Sequence, residues 1–169
     1  KLRKQAQLSK GASVFLHPVN KYELYGVAKI DKKNKIIGIK EKPKKFYSNY
    51  AVTGLYYFDK KVIEYTKKLK PSKRKELEIV DLLNIYKKKN RLKANFIGRG
   101  GVWLDTGTLD DFYKTSAFVE VIENRQGLKI ACIEEIAFRN RWINSKNIKN
   151  AIKFYGNCKY SEYLKKLIS

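Results

Sequence analysis

A glycine-flanked segment at residues 98–108 (GRGGVWLDTGT) constrains the fold of this chain more than any other stretch. A short apolar strand is predicted over residues 102–104, and it delivers one carboxylate, Asp105, into a turn of threonine and glycine. A helix is predicted to begin after Thr108, because Asp111 follows in the spacing of a capping box. A strand end beside a helix N-terminus is a common place to hold a metal ion and a phosphate. Capping of the helix by Asp105 and Thr108 is the simpler interpretation, and the local pattern leaves both open.

Strand-length apolar runs alternate with amphipathic helical patterns along the rest of the chain. The polar run DKKNK at residues 31–35 indicates a hairpin. Gly54 inside an apolar run indicates a bulge or the close approach of a ligand, and Asp59 can cap a helix. The pattern predicts an α/β fold with a mixed sheet and flanking helices. The predicted strands cover residues 12–19, 27–30, 36–39, 50–58, 92–97 and 128–133, and the predicted helices cover 1–9, 60–69, 76–89, 109–124 and most of 134–169. The helix over 109–124 is expected to bury Phe112, Phe118 and Val121 or their neighbours.

Length and charge narrow the class of protein. The 169 residues suit one domain, or one domain and a small appendage, and carry a formal net charge of +22. Only seven of the 38 basic residues are arginine, and the lysines are spread along the chain, so nucleic acid is not the expected partner. The sequence has no run of about 18 apolar residues and only two cysteines, which favours a cytoplasmic protein without a membrane partner.

Several side chains that could bind a ligand follow strand ends, where open α/β sheets bind ligands. A carboxylate for hydroxyl groups beside fixed cations for a phosphate suits a sugar phosphate. An ordinary solvated turn would also explain each residue separately. The candidates are Tyr25, Gly26, Glu41, Lys42, residues 52–56, Arg74 and Asp105. His17 and Cys132 lie in apolar runs, and we expect an internally hydrogen-bonded histidine and a buried thiol there.

Longer motifs give the chain a family resemblance. It is similar to the C-terminal part of the sugar nucleotidyltransferases, and the RQGLKIACIEEIA stretch resembles the glucose-1-phosphate thymidylyltransferases within them. The matching segments are GASVF (11–15), YGV (25–27), EKP (41–43), SNYAVTGLY (48–56), ELEI (76–79), GRG (98–100), WLDTGT (103–108), VEVIENRQGLKIACIE (119–134) and EIAFRN (135–140).

The resemblance implies a Rossmann-like fold and a role for each candidate residue. It implies transfer of a thymidylyl group from dTTP to glucose-1-phosphate, with Mg²⁺ as cofactor and Asp105 as one of its two aspartate ligands. Residues 1–127 would belong to the catalytic domain, and residues 128–169 would form a helical tail for regulation or oligomerisation. By the same resemblance, Tyr25, Gly26, Glu41, Val52 and Tyr56 would line the sugar site, Lys42 and Arg74 would hold the phosphate, and Glu135, Ile136 and Arg139 would belong to a regulatory site.

The chain departs from the family at its front. The family's glycine-rich segment of the form G-G-x-G-T-R-L, its catalytic lysine and its second metal aspartate have no counterpart here. We therefore expect the isolated chain to be inactive, and to act as a homo-oligomer or together with a separate N-terminal chain. A non-catalytic sugar-nucleotide-binding or assembly module is the main alternative. Nucleic-acid binding is a third hypothesis, which a steep salt dependence would identify.

Overall fold

A computed structural model describes residues 10–72 and 75–169 of the chain. Its contacts divide into two units, one ending at Trp103 and the other beginning at Leu104. The helix predicted over residues 1–9 and the role predicted for Arg74 fall outside the described residues. No helix in the described part is both long and apolar enough to cross a bilayer.

The first unit is built on a five-stranded mixed sheet. Its strands are β1 (Ala12–Pro18), β2 (Gly26–Ile30), β3 (Ile36–Glu41), β4 (Tyr50–Phe58) and β5 (Leu92–Phe96), with a 3₁₀ turn at Tyr22–Leu24. The order across the sheet is β3-β2-β4-β1-β5. β5 is parallel to β1, whereas the other neighbours are antiparallel. The predicted mixed sheet and its β2–β3 hairpin are therefore confirmed.

The bulge predicted at Gly54 is also confirmed. Val14 in β1 lies opposite Tyr56 in β4, but Leu16 lies opposite Val52, so β4 carries extra residues between these pairs. Gly54 adopts a φ of 77° at this point. A positive φ is costly for residues with a Cβ atom, which explains why glycine occupies the bulge.

Two helices pack in the first unit, α1 (Val62–Thr66) and α2 (Ile79–Lys88). α2 buries Val80, Leu82, Leu83 and Tyr86 against the apolar face of the sheet. Both helices are shorter than their patterns predicted. α2 begins late because Glu78 is extended, and α1 gives way after Thr66 to tighter turns in which the Lys68 and Leu69 amides bond three residues back.

Asp59 joins three parts of this unit through one buried carboxylate. One oxygen accepts the Gly11 amide at 2.6 Å, and the other accepts the Tyr86 hydroxyl at 2.8 Å and the Lys61 amide at 3.1 Å. Burial raises the pKa of Asp59, but these hydrogen bonds outweigh it and hold the pKa below its usual value. Asp59 therefore ties the start of β1 and the end of β4 to the last turns of α2, in addition to its predicted contact with the start of α1.

The second unit is helical. It contains α3 (Leu109–Gln126), α4 (Ile133–Arg139), α5 (Ser145–Tyr155) and α6 (Lys159–Ile168). The last three pack around Cys132, Ile148, Tyr163 and Leu164, so the predictions of a helical tail and a buried Cys132 are confirmed. Glu134 accepts hydrogen bonds from Tyr155 at 2.9 Å and Tyr160 at 2.5 Å, which fastens α4 to the other two helices.

The two ends of α3 lie where the sequence predicts them, but the predicted burial of its apolar side chains is not found. The Thr108 hydroxyl accepts the Asp111 amide at 3.1 Å, and Gly127 ends the helix with a φ of 66°, as expected. The burial predicted for Phe112, Phe118 and Val121 is wrong, since all three side chains are exposed.

The strand predicted over residues 128–133 is also wrong. Residues 128–132 form a turn, in which Lys129 pairs with Glu123 and the Ile130 amide donates to the same carboxylate at 2.9 Å. These bonds to α3 take the place of a strand ladder.

We predict that Asp59→Asn lowers the free energy of unfolding by about 1.5–3 kcal/mol near neutral pH, because it weakens hydrogen bonds to a charged acceptor. The pKa of Asp59 is lower in the folded chain than in the unfolded chain, where it is about 3.9. The stability that this difference provides is fully present at pH values above the unfolded-state pKa, and it is lost as the pH falls through the folded-state pKa. The difference between the two proteins should therefore shrink in acid, as urea unfolding near pH 7 and near pH 3 can measure.

Glu64→Gln is the matched control for this change. Its carboxylate pairs with Lys68 on the exposed side of α1, where an ion pair contributes little. If the loss in free energy of unfolding caused by Asp59→Asn stays the same from neutral to acid pH, the charge of Asp59 is not the stabilising feature.

Candidate functional site

The two open ends of the β2–β3 hairpin bring four of the predicted site residues together. Gly26 lies opposite Glu41 in the antiparallel register, and the Lys42 amide donates to the carbonyl of Tyr25 at 3.1 Å. Val27 in turn lies opposite Ala51 in β4, which sets Val52 on the far side of Gly26. Glu41, Gly26 and Val52 therefore form one row across three strands, whereas Tyr56 lies further along β4, opposite Val14.

The carboxylate of Glu41 lies over the backbone of Gly26. A Cβ atom added at Gly26 would stand 2.8 Å from Oε2 of Glu41 and 3.3 Å from Cγ2 of Val80. Burial, followed by the charge of Glu41, raises the pKa of Tyr56, so Tyr56 belongs to the same surroundings. A cavity of about 450 Å³ opens beside Glu41, between β3 and the first turns of α2.

Trp103 packs against Tyr25 and is bonded to β4. Its indole N–H donates to the carbonyl of Thr53 at 3.1 Å, and its ring meets that of Tyr25 edge-on at 5.1 Å. The strand predicted over residues 102–104 is wrong: the flanking Val102 and Leu104 are exposed, and the segment is held by the indole rather than by a backbone ladder. Sequence reasoning did not select Trp103, although its place in the WLDTGT motif was a usable signal.

His17 lies on the other side of Trp103, with 6.2 Å between the ring centroids. Its Nδ1 atom is buried and has no hydrogen-bond partner among the described residues. The expectation of an internally satisfied imidazole is therefore wrong at this nitrogen. A strand residue next to Pro18 has few donors within reach, because proline has no amide hydrogen.

Asp105 belongs to the second unit and is exposed. Its carboxylate accepts the amide of Thr106 at 3.0 Å, and Thr108 alone caps α3. The capping interpretation therefore holds for Thr108 and not for Asp105. Within residues 10–72 and 75–169, no three or more His, Cys, Asp or Glu side chains gather where they could hold a metal ion.

The residues predicted for regulation lie on α4. Nε of Arg139 donates to Glu135 at 2.6 Å, and Glu135 also accepts the hydroxyl of Tyr163 on α6. Ile136 is exposed. Arg139 borders a cavity of about 570 Å³ that continues past Trp142 to the start of α5.

Comparison with known proteins gives consistent matches. The nucleotidyl transferase family model matches residues 1–121. Glucose-1-phosphate thymidylyltransferases are 39% identical in Neisseria meningitidis and 45% identical in Xanthomonas campestris, over 99% and 96% of this chain but 58% and 55% of those proteins. The chain thus spans little more than half the length of these relatives.

Solved structures agree with the sequence matches. A Bacillus anthracis protein assigned as a glucose-1-phosphate thymidylyltransferase, crystallised with sucrose, is 44% identical with a TM-score of 0.61. The match covers 69% of this chain and 46% of that one. A UDP-glucose pyrophosphorylase bound to UDP-glucose is 27% identical with a TM-score of 0.58, over 69% and 45% of the two chains.

We predict that Gly26→Ala weakens binding about tenfold at the sugar-phosphate site that we expect here, because the new methyl group displaces the Glu41 carboxylate. The free energy of unfolding should change little, since the carboxylate is the movable end of a side chain. Titration calorimetry and urea unfolding measure the two effects.

Gly98→Ala is the control, because an added Cβ there meets nothing within 4 Å. Unchanged binding by a folded Gly26→Ala protein would contradict the place of Glu41 in the site.

Proposed function

The chain belongs to the nucleotidyl transferase family, and on that premise we propose that it carries the sugar-phosphate side of a glucose-1-phosphate thymidylyltransferase. In this reaction a phosphate oxygen of glucose-1-phosphate attacks the α-phosphate of dTTP. A new P–O bond forms to give dTDP-glucose, and pyrophosphate leaves. Most of the acceleration in such a transfer comes from alignment and from charge placed around the phosphates.

The observation that carries the proposal is the Glu41 carboxylate held over the backbone of Gly26, in space that only glycine leaves free for it. A carboxylate in this position can accept hydrogen bonds from sugar hydroxyls. The aromatic faces of Tyr25 and Trp103 supply the apolar wall that sugar rings need, and Val52 and Tyr56 would close it.

Phosphate binding is assigned to Lys42. Its backbone amide is fixed on Tyr25 at 3.1 Å, and its φ of 38° turns the chain sharply at the end of β3. The exposed ammonium group is thereby carried next to the sugar site, where it can hold the phosphate as a point charge. Arg74 is assigned the same role by the family motif.

The proposed cofactor is Mg²⁺, with Asp105 as one protein ligand. Magnesium in phosphate-transfer sites takes one or two carboxylates and fills its shell with phosphate oxygens and water, so a single exposed carboxylate with one oxygen bonded only to a local amide fits as part of such a set. The bound ion would neutralise charge on the phosphates.

The proposal assigns the nucleotide side to sequence that this chain does not contain. The direct test incubates the purified chain with dTTP, glucose-1-phosphate and Mg²⁺, and follows pyrophosphate. We expect no enzymatic release from the chain alone, and release after addition of a chain that carries the glycine-rich segment. Turnover by the chain alone would overturn this half-site assignment. The expected setting is the cytoplasm, as a homo-oligomer or a complex with that second chain.

A second candidate function is binding of a sugar nucleotide without catalysis. It is supported by the cavity beside Arg139, where the Glu135–Arg139 pair fixes the guanidinium on α4. Calorimetry with dTDP-rhamnose tests it, because a dead remnant would bind neither this ligand nor glucose-1-phosphate.

We predict that Glu41→Gln weakens binding of glucose-1-phosphate by about 10- to 100-fold, the value of hydrogen bonds to a charged acceptor. Titration calorimetry measures the change. Glu23→Gln is the control, since Glu23 lies exposed in the neighbouring 3₁₀ turn. Equal affinities of Glu41→Gln and the parent chain would remove Glu41 from the sugar site.

A further inference from the structure

The tip of the β2–β3 hairpin lies against the turn that joins α2 to β5. The ammonium of Lys35 donates to the side-chain oxygen of Asn90 at 3.0 Å, although 55 residues separate the two. Lys87 reaches across to the carbonyl of Ile37 at 3.4 Å. The lysines of the hairpin tip and those of the α2 end, remote in sequence, therefore share one surface.

The start of α1 adds a third basic segment. The ammonium of Lys89 lies 5.7 Å from the ring centre of Tyr65 in α1, and Asp59 bonds both the Lys61 amide and the Tyr86 hydroxyl of α2. We call the combined surface the basic face. Its members are Lys32, Lys33, Lys35, Lys60, Lys61, Lys87, Lys88, Lys89 and Arg91.

The positive charge of the basic face is only partly neutralised. Asp31 accepts the Lys33 and Lys35 amides. The buried Asp59 also attracts Arg91, and Glu64, which pairs with Lys68, also attracts Lys61 and Lys89. None of the ion pairs found among the described residues includes a member of the face.

Charge is also concentrated in this half of the chain. The first unit holds 27 of the 38 basic residues but only eight of the 16 acidic ones, which makes +19 of the total +22.

The chemistry of the basic face selects among anionic partners. Eight of its nine cations are lysine, whereas nucleic-acid surfaces favour arginine forks. Two large apolar side chains are exposed within it: Ile37, 49% exposed beside Lys87, and Ile63, 64% exposed one turn from Lys60. A surface of lysines around exposed isoleucines suits an anionic bilayer. Its phospholipid head groups attract the ammonium groups, and the boundary between head groups and acyl chains accepts the isoleucine side chains.

We propose that the basic face docks this protein peripherally on an anionic phospholipid surface. This departs from the expectation drawn from the sequence, in which the lysines look evenly spread. The inference does not depend on the proposed function, because no member of the basic face belongs to the sugar-phosphate site.

The test is sedimentation of the full chain with phosphatidylcholine vesicles, with and without phosphatidylglycerol. We expect binding only to the vesicles with phosphatidylglycerol, and weaker binding as salt rises. The triple variant Lys32→Glu, Lys33→Glu and Lys88→Glu should lose at least about 100-fold in partition, because each lost lysine costs about fivefold and each new glutamate is repelled by the anionic lipid.

A matched variant changes the same amount of charge elsewhere. This variant carries Lys146→Glu, Lys149→Glu and Lys153→Glu. The three lysines lie exposed on α5 in the second unit, and the variant should bind vesicles close to the parent level. Equal losses in both triple variants would show that net charge, and not the basic face, attracts the vesicles, which would overturn the proposal. Absence of vesicle binding at low salt would overturn it as well.

Two further experiments distinguish a membrane from other polyanions as the partner of the basic face. Ile37→Ser with Ile63→Ser leaves the charge unchanged and should weaken binding to vesicles, but not to an RNA oligonucleotide. Tighter binding to RNA than to vesicles would assign the basic face to nucleic acid instead, provided that the Lys32→Glu, Lys33→Glu, Lys88→Glu variant loses that binding. Circular dichroism of each variant checks that the fold is retained.

Discussion

The buried carboxylate of Asp59 is the constraint on which the first unit depends. β1 begins near it, while β4 and α2 end near it. Gly11 before β1 and Tyr86 in α2 donate hydrogen bonds to it, and β4 leads directly into it. Because a charge buried among directed hydrogen bonds loses its stabilisation when any donor moves away, Asp59 fixes where α2 lies on the sheet. The position of α2 then determines the shape of two surfaces. Its first turn borders the cavity beside Glu41, and its last turn borders the hairpin tip in the basic face.

Features encoded by neighbouring residues could be predicted from the sequence. The hairpin, the glycine bulge, the Thr108 cap and the Gly127 helix end each follow from backbone preferences within a few residues. The row formed by Gly26 and Glu41 also follows from the sequence, because a hairpin with a short turn fixes which residues face each other. The placement of Gly26 opposite Glu41 in the proposed sugar-phosphate site could therefore be anticipated before the fold was known.

Features that depend on distant partners could not be predicted in this way. The apolar runs at residues 102–104 and 128–133 have strand-like composition, but a strand needs a free edge to pair with. In the first run the indole of Trp103 bonds Thr53, 50 residues away, and in the second the carboxylate of Glu123 takes the amide of Ile130. The basic face was hidden for the same reason, because only the fold brings Lys35 to Asn90.

The β2–β3 hairpin connects the two proposed surfaces. Its open ends carry Gly26 and Glu41, and its tip carries Lys32, Lys33 and Lys35. Five residues of β2 separate them, which at about 3.3 Å per residue is roughly 17 Å along an extended strand. A bilayer that held the tip would therefore leave the Glu41 end directed away from the lipid and open to a dissolved sugar phosphate. Peripheral docking and substrate binding use opposite ends of one element, so neither has to be released for the other to occur.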